Sequence, residues 1–251
     1  MVIKSLFNKK YILSLVLYVL IAFFAFFLIY SLMKIIEWGK DNKANSEMLG
    51  QLSNYIFIEE NSEKETGNAY TINFNELKKI NSDIVGWIKV NGTEIEYPVL
   101  QTENNTYYLA HGLDKSKNSA GSIFVDYRNR LDSTDKNLII YGHNRKDGSM
   151  FGSLKNILSK SWYTNEKNRK IVFITETEEC IYEVFSIYKI KKEDYYIQTQ
   201  FSDYYSFLNK IKERSIYDFE INLDENSQIL TLSTCDNNNE YRTVLHAKKL
   251  P

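Results

Sequence analysis

An uncharged apolar run near the N-terminus constrains this chain more than any other feature. From Tyr11 to Met33, 23 consecutive residues carry no charge. At 1.5 Å per residue a helix of that length spans about 34 Å, enough to cross a hydrocarbon core of about 30 Å. Three lysines lie within the first ten residues, so the positive-inside rule predicts a cytoplasmic N-terminus and an exported remainder. The sequence therefore predicts a cytoplasmic tail at 1–10 and a transmembrane signal anchor at 11–36.

A cleaved signal peptide is the alternative explanation of this run. Such a peptide has an apolar region of about 7–15 residues, followed by small residues at a cleavage site. Here the run is longer, and the residues after it, Lys34–Trp38, contain no Ala-x-Ala pattern. The sequence thus favours an uncleaved single-pass anchor at the cell membrane, with the rest of the chain outside the cell.

Composition limits what the exported part can be. The 251 residues carry a formal net charge of -1, which gives no argument for binding nucleic acid. Hydrophobic residues make up 43%, and the abundant tyrosine and phenylalanine favour strands. Residues 37–69 are polar, with apolar residues at loosely helical spacing, and predict a helical stalk followed by a linker at Asn61–Asn68. Residues 70–251 predict one globular domain of ordinary size.

Short apolar runs separated by turn residues recur through this domain. One pair flanks Asn91-Gly92, a strong hairpin signal, and the run Asn137–Tyr141 is continuous enough to be buried on both faces. About eight strands at this spacing predict a mainly β fold, a closed barrel or a sandwich, with added helices. The predicted strands are Ile84–Val90, Ile95–Leu100, Gly121–Tyr127, Asn137–Tyr141, Ile171–Thr175, Cys180–Ile190, Gln228–Thr234 and Arg242–Lys248, and the predicted helices are Asn73–Ile80, Met150–Leu158 and Ser202–Ile216.

A cysteine lies where one predicted strand meets a polar loop. Cys235 closes the strand, and the turn-rich sequence Asp236–Asn239 follows it. Arg242 begins the next strand, and a hairpin would return it to the side of Cys235. A guanidinium there lowers the pKa of the thiol or donates hydrogen bonds to an oxyanion. The residues alone also allow a surface arginine and a small buried cysteine.

Three histidines are candidates for the proton transfer that a cysteine nucleophile needs. His143 follows the buried Asn137–Tyr141 run at another junction of strand and loop, which makes it the best placed. His111 lies in a loop-like stretch, and His246 lies within the last strand, where its hydrogen bonds could be satisfied internally. Histidines and cysteines show no metal-ligand spacing, so neither a metal nor a cofactor is expected.

Four segments in this order resemble those of sortases. TLSTC (Thr231–Cys235) followed by Arg242 resembles the TLxTC signature, and YGHN (Tyr141–Asn144) resembles the segment that carries the histidine of the family. DIVGWIKVNGTEIEYPVLQ (Asp83–Gln101) and GSIFVDYRN (Gly121–Asn129) look like class B members in particular, as does the helix predicted before the cysteine strand. The resemblance extends over essentially the whole exported domain.

The resemblance implies an eight-stranded sortase barrel and a cysteine transpeptidase of Gram-positive cell walls. Such an enzyme cleaves the C-terminal sorting signal of a surface protein after Thr, in a Pro-x-Thr-Gly/Asn-like motif, through a cysteine thioester. It then transfers the protein to an amine of a peptidoglycan precursor. By analogy the catalytic residues are Cys235, His143 and Arg242, the substrate-binding residues are Ser233, Thr234, Asn105, Leu109, Tyr196 and Ile197, and Asp236 is the acidic residue that often follows the cysteine of the family.

Two other functions fit the same residues. A membrane-tethered cysteine protease would use them to hydrolyse its substrate without transfer. A non-enzymatic surface binding module would instead join Cys180 and Cys235 in a disulfide, which an oxidising compartment permits. Two cysteines do not form a disulfide framework, and Cys180 is expected to be an inert core thiol.

Overall fold

A computed structural model describes residues 2–60, 68–132, 134–235 and 240–251. Within these ranges the side chains of residues 2–9, 53, 58–60, 68–69 and 235 are not described. The chain divides into two units, the first ending at Ala44 and the second running from Asn45 to Pro251. The predicted linker falls outside the described residues apart from Asn68, and the predicted loop at 236–239, with Asp236, falls outside them entirely.

Helix α1 (Val2–Leu52) contains the apolar run. Its most apolar 18-residue window has a mean hydropathy of 3.0, and none of that window is buried. Leucine, isoleucine, valine and phenylalanine dominate the window, as expected of a helix whose surrounding solvent is lipid rather than water. The helix is long and apolar enough to cross a membrane, which is consistent with a membrane anchor. A signal sequence near an N-terminus would also meet these criteria of helix length and hydropathy.

A two-stranded sheet follows this helix. Strand β1 (Ile56–Glu60) pairs antiparallel with β2 (Asn68–Ile72), with Ile56 opposite Ile72. The sequence pattern predicted helix through this first segment, but the helix ends at Leu52. Both strands contain β-branched and aromatic residues, which favour an extended chain once a pairing partner is available.

Eight further strands form a closed barrel, which confirms the predicted fold. Neighbours in the order β10-β8-β7-β3-β4-β5-β6-β9 are hydrogen-bonded, and β9 pairs with β10 to close the ring. The strands are β3 (Ile84–Val90), β4 (Glu96–Leu100), β5 (Phe124–Val125), β6 (Asn137–His143), β7 (Lys170–Ile174), β8 (Glu179–Lys191), β9 (Ile229–Cys235) and β10 (Tyr241–Lys249).

The direction of three strands decides where their ends meet. Strands β6 and β9 run parallel, so their last residues lie at the same edge of the barrel. Strand β10 runs antiparallel to β9, so its first residues lie at that edge too. This edge therefore collects the C-terminal residues of two strands and the N-terminal residues of a third.

Strand β5 is much shorter than the predicted strand Gly121–Tyr127. Gly121 has a φ of +62°, a left-handed conformation that interrupts an extended chain. The amide of the next residue, Ser122, donates to the carbonyl of Tyr108 (2.9 Å) instead of to a strand. The segment before β5 is thus committed to the loop that carries Tyr108, and only two residues pair as β structure.

Short helices connect the strands. Helix α2 (Phe74–Ile80) is capped by Asn73, whose Oδ1 accepts from the amide of Glu76 (3.2 Å). The predicted Met150–Leu158 helix is a 3₁₀ helix at Gly152–Leu158, followed by the single turn α3 (Lys160–Tyr163). Helix α4 (Tyr204–Glu213) lies between β8 and β9 as predicted, and ends short of Ile216.

Aliphatic side chains from most of the strands fill the barrel. Strand β6 is buried from Asn137 through Ile140, which confirms the prediction of a strand covered on both faces. Truncating one fully buried aliphatic side chain in such a core costs about 2–5 kcal/mol, so these side chains stabilise the strands that carry the groups at the barrel edge. Fully buried examples are Ile88, Val99, Ile140, Leu232 and Leu245.

Candidate active site

Three predicted site residues occupy one row across three neighbouring strands. His143 of β6 is the register partner of Cys235 in β9, and Cys235 is in turn the partner of Arg242 in β10. Neighbouring strands lie about 4.8 Å apart, so the three α-carbons fall within about 10 Å. Residues far apart in the chain therefore converge at the edge where β6 and β9 end and β10 begins.

The imidazole of His143 is held by the loop before β5. Its Nε2 lies 2.7 Å from the carbonyl oxygen of Leu109, and the side chain is half-buried. A carbonyl oxygen can only accept, so Nε2 carries the hydrogen and donates it. The neutral ring then has its lone pair on Nδ1, which is the nitrogen that gains or loses a proton.

Gly121 makes room for this imidazole. A Cβ at this position would lie 2.8 Å from Cδ2 of His143 and 2.6 Å from the carbonyl oxygen of Tyr108. Its positive φ adds a second reason why a larger residue is strained here. The glycine that shortens β5 thus also permits the histidine to reach the Leu109 carbonyl.

Arg242 lies half-buried at the start of β10. Its Nη1 donates to the carbonyl of Tyr241 at 3.3 Å, and the side chain lines a groove at this edge of the barrel. A guanidinium is planar, permanently charged and able to donate several hydrogen bonds in a fixed geometry. It can therefore stabilise negative charge that develops on an oxygen in the groove.

The groove beside Arg242 has a volume of about 300 Å³. Five of the six predicted substrate-binding residues line it, whereas Thr234 is buried and is not among the described lining residues. The five are Asn105, Leu109, Tyr196, Ile197 and Ser233, and the lining residues that the sequence analysis missed are Phe124, Tyr141, Gly142, Lys192, Glu193 and Asp194. Tyr141 was within the quoted YGHN segment, but strand periodicity alone did not reveal that it faces the groove.

A hydrogen bond joins two of the predicted groove residues. The hydroxyls of Tyr196 and Ser233 lie 3.0 Å apart, and both residues are almost fully buried. Ser233 is the register partner of Tyr141 on β6, so the groove continues from the barrel edge across the β6–β9 pair. The segment that contains Tyr196 lines the same groove.

His246 belongs to a buried hydrogen-bond network that connects β9, β10 and the Tyr196 segment. Its Nδ1 lies 2.8 Å from the Thr231 hydroxyl, and its Nε2 lies 2.8 Å from the Tyr188 hydroxyl. Thr231 donates onward to Asn137 Oδ1 (2.6 Å), so it must accept from Nδ1–H. The Asn137 amide in turn donates to the backbone carbonyl of Tyr196 at 3.3 Å. The prediction of an internally satisfied strand histidine is confirmed, and the ring is neutral.

Burial of His246 makes stability depend on pH. Complete burial lowers the pKa of this imidazole to about 3, well below the ordinary value of 6.5. Between pH 6.5 and 3 this imidazole is therefore protonated in the unfolded chain but neutral in the folded chain. The free energy of unfolding falls as pH drops through this range. We expect the free energy of unfolding, measured by urea titration in detergent, to lose about 1.4 kcal/mol per pH unit between about pH 6 and 4.5 from this group.

The pH range from about 6 to 4.5 distinguishes the effect of His246 on stability from that of the paired carboxylates. Asp83, Asp126 and Asp147 have pKa values below their ordinary 3.8, so their contributions are lost only at lower pH. Replacing His246 with Gln should flatten the dependence of the free energy of unfolding on pH. The matched change His111→Gln should keep the slope of the unmutated chain. An unchanged slope in the His246→Gln protein would exclude His246 as its source.

His111 lies outside the row of His143, Cys235 and Arg242. Its ring stacks on Tyr107 with 4.0 Å between centroids, and its Nδ1 lies 2.7 Å from the Tyr107 carbonyl. His246 is buried within the barrel wall. His143 is the histidine of this chain that shares a row with Cys235.

Cys180 is a free and buried thiol, as expected of a core cysteine. It pairs with Phe173 across β7 and β8, and burial raises the pKa of its thiol. A raised pKa leaves little thiolate at neutral pH, which makes this sulfur a poor nucleophile. Because Cys180 is free, the alternative of a Cys180–Cys235 bridge is not supported.

A family profile described as "Sortase domain" matches residues 88–250 of this chain. Two curated relatives are named Sortase B. The chain is 38% identical to the one from Listeria monocytogenes over 222 residues, which cover 82% of this chain and 89% of the relative. It is 42% identical to the one from Staphylococcus aureus over 166 residues, which cover 65% of this chain and 67% of the relative.

Solved structures give the same result. A crystal structure of sortase B from B. anthracis superposes with a TM-score of 0.72 at 38% identity, covering 86% of this chain and 99% of that one. A Staphylococcus aureus sortase B–substrate complex and a crystal structure of sortase B complexed with triglycine each give 0.66 at 39% identity. They cover 70% of this chain and 84% and 85% of those chains, respectively.

Proposed function

This chain belongs to the sortase family, in its class B, and from that premise we propose that Cys235, His143 and Arg242 carry out its transpeptidation. A sortase of this class cleaves a sorting signal and joins the acyl fragment to an amine. The row that these three residues form across β6, β9 and β10, beside a peptide-sized groove, is the observation that carries the proposal. The proposed signal is a Pro-x-Thr-Gly/Asn-like motif cleaved after Thr, and the proposed acceptor is a cell-wall peptidoglycan amine.

The proposed reaction has two halves. The Cys235 thiolate adds to the Thr carbonyl carbon, and the resulting oxyanion is stabilised by hydrogen bonds from Arg242. His143 then gives a proton to the departing amine, and the carbonyl re-forms as a thioester. In the second half an incoming amine adds to the thioester, His143 takes its proton, and the thiolate leaves. A thioester stores the acyl group while the leaving peptide is exchanged for the acceptor.

Proton transfer in this scheme uses Nδ1 of His143. The hydrogen bond from Nε2 to the Leu109 carbonyl supports this assignment, because it occupies the other nitrogen in both protonation states. Leu109 thus has two roles in the proposal: its carbonyl orients the histidine, and its side chain lines the groove.

The groove is the proposed substrate site. Asn105, Leu109, Tyr196, Ile197 and Ser233 supply a mixed polar and apolar surface, which suits a short extended peptide. Thr234 contributes through its backbone in β9, since its side chain is buried. The exposed first residues of the 192–198 segment add charge at one end of the groove.

The proposed location is the outer face of the cell membrane. Helix α1 supplies the anchor, and the lysines that precede its apolar run favour a cytoplasmic N-terminus. The substrates would be surface proteins that bear a C-terminal sorting signal. The triglycine complex of sortase B supports a primary amine as the acceptor class.

A peptide library with and without an amine tests the proposal. The full chain in detergent is incubated with Pro-x-Thr-Gly and Pro-x-Thr-Asn peptides, and products are identified by mass spectrometry. We expect cleavage after Thr and, with triglycine present, a new product in which triglycine is joined to that Thr. Hydrolysis without any triglycine product would instead support the protease alternative, and an uncleaved library would reject the proposed signal.

A further inference from the structure

We propose that Asp126 is a positioning residue that fixes three walls of the substrate groove through one buried carboxylate. The inference rests on the proposed function, because the groove is the site where the sorting signal would lie. Asp126 is fully buried and is not among the residues that line the groove. It acts through residues that do.

Four side-chain hydrogen bonds converge on this carboxylate. Arg128 donates from Nε to Oδ1 (2.8 Å) and from Nη2 to Oδ2 (2.7 Å), which is a bidentate pair. Asn105 Nδ2 and the Tyr141 hydroxyl both donate to Oδ2 at 2.9 Å. Both carboxylate oxygens can accept from all of these donors only while Asp126 is ionised.

Each of these donors connects Asp126 to a different part of the groove. Asn105 belongs to the loop before Leu109, and Tyr141 belongs to β6, two residues before His143. Arg128 also donates from Nη2 to the carbonyl of Ile197 (3.0 Å), in the segment after β8 that lines the groove. One carboxylate therefore sets the relative positions of a loop, a strand and a distant segment.

The Asn105 side chain is fixed at both ends. Its Nδ2 donates to Asp126, and its Oδ1 accepts from the amide of Tyr127 at 2.9 Å. This leaves the amide no freedom to flip, and its second N–H keeps a defined direction. A side chain held in this way binds a peptide backbone without first losing conformational entropy.

The electrostatics agree with an Asp126 that is ionised at neutral pH. Burial opposes the charged form, but the hydrogen bonds from Arg128 and Tyr141 outweigh burial and lower the pKa of the carboxyl. Burial, with the neighbouring Asp126 charge, raises the pKa of Tyr141, so its hydroxyl remains a donor. Burying a carboxylate lowers the stability of the fold unless hydrogen bonds and opposite charge pair it fully. Two of the partners of Asp126 are residues that line the groove rather than core residues.

Asp126→Asn is the central test. The amide is nearly the same size but has one acceptor oxygen and two N–H groups where four donors converge, so the three connections cannot all be kept. Loss of one hydrogen bond to a charged group changes an equilibrium or rate constant by a factor of about 10–100. We expect kcat/KM for the sorting-signal peptide to fall about 10- to 100-fold, while the rate at which iodoacetamide alkylates Cys235 stays within about two-fold of the unmutated chain.

A double-mutant cycle separates positioning from general stability. Tyr141→Phe removes only the hydroxyl that donates to Asp126, and we expect it to lower kcat/KM by itself. Combined with Asp126→Asn, it should cause little further loss, because residues that act through one interaction are not additive. Additive losses, or a loss that follows only the drop in Tm, would overturn the role of Asp126.

Two controls complete the experiment. Asp132→Asn removes an exposed carboxylate that accepts from Thr134, outside the groove, and should retain the kinetics of the unmutated chain. Asp126→Glu keeps the charge but displaces it by one methylene, and should fold yet lose activity; full activity in this variant would contradict the proposal. An inactive unmutated chain rejects the proposed function, whereas an active chain with an equally active Asp126→Asn variant rejects only the role of Asp126.

Discussion

Replacing Cys235 with Ala should abolish both peptide cleavage and capture of the acyl fragment. Without the sulfur no thioester can form, and neither His143 nor Arg242 supplies another nucleophile. Loss of a covalent nucleophile typically lowers kcat by more than about 1,000-fold. Peptide cleavage is followed by chromatography, and the covalent intermediate is detected as an increase in the intact mass of the chain.

Cys180 offers a matched control for this experiment. The change Cys180→Ala removes a sulfur from a buried position in β8, opposite Phe173 of β7 and away from the row at the barrel edge. We expect it to lower the free energy of unfolding by about 1 kcal/mol and to leave cleavage intact. Activity that survives Cys235→Ala, or disappears in Cys180→Ala with the fold preserved, would reject Cys235 as the nucleophile.

Arg242→Lys should lower kcat/KM by about 100-fold even though the positive charge is kept. The planar guanidinium donates two hydrogen bonds in fixed directions, whereas an ammonium acts as a flexible point charge. Removing one donor from an oxyanion site typically costs about 100- to 1,000-fold in kcat. Since Arg242 lies beside Cys235 in the register and lines the groove, we expect the loss mainly in kcat.

Arg130→Lys is the control for the loss of a guanidinium elsewhere. Arg130 is an exposed residue whose Nε lies 3.6 Å from an Asp135 oxygen, and it is not among the residues that line the groove. An exposed pair of this kind contributes roughly 0–1 kcal/mol, so both activity and Tm should be nearly unchanged. If Arg242→Lys turned over substrate at the normal rate, Arg242 would have only a structural role.

Local patterns predicted the separate parts of the active domain well. The continuous apolar run of β6 predicted a strand buried on both faces, and the strand-like run before the turn-rich loop predicted a strand that Cys235 closes. His143 was preferred over His246 because it follows a strand, and burial of His246 agrees with that choice. The eight-strand barrel and the sortase family are confirmed, while the roles of individual site residues stay predictions.

Local patterns failed where a residue takes its conformation from a distant partner. Strand β1 was mistaken for helix because it pairs with a second segment, β2, further along the chain. The expected strand from Gly121 was cut to β5 because Gly121 turns back toward Tyr108 and the His143 ring. In both cases the deciding contact is absent from the window in which periodicity is judged.

The sequence by itself determined which chemical groups lie at strand ends, because alternation and turn residues are local properties of the chain. It did not determine that β6 lies parallel to β9, which is the pairing that places His143 beside Cys235. Nor did it reveal that the carboxylate of Asp126 joins Asn105, Tyr141 and Arg128. Strand order, register and convergent hydrogen bonds arise only when distant segments close into a barrel, since their energies depend on contacts that no single segment contains.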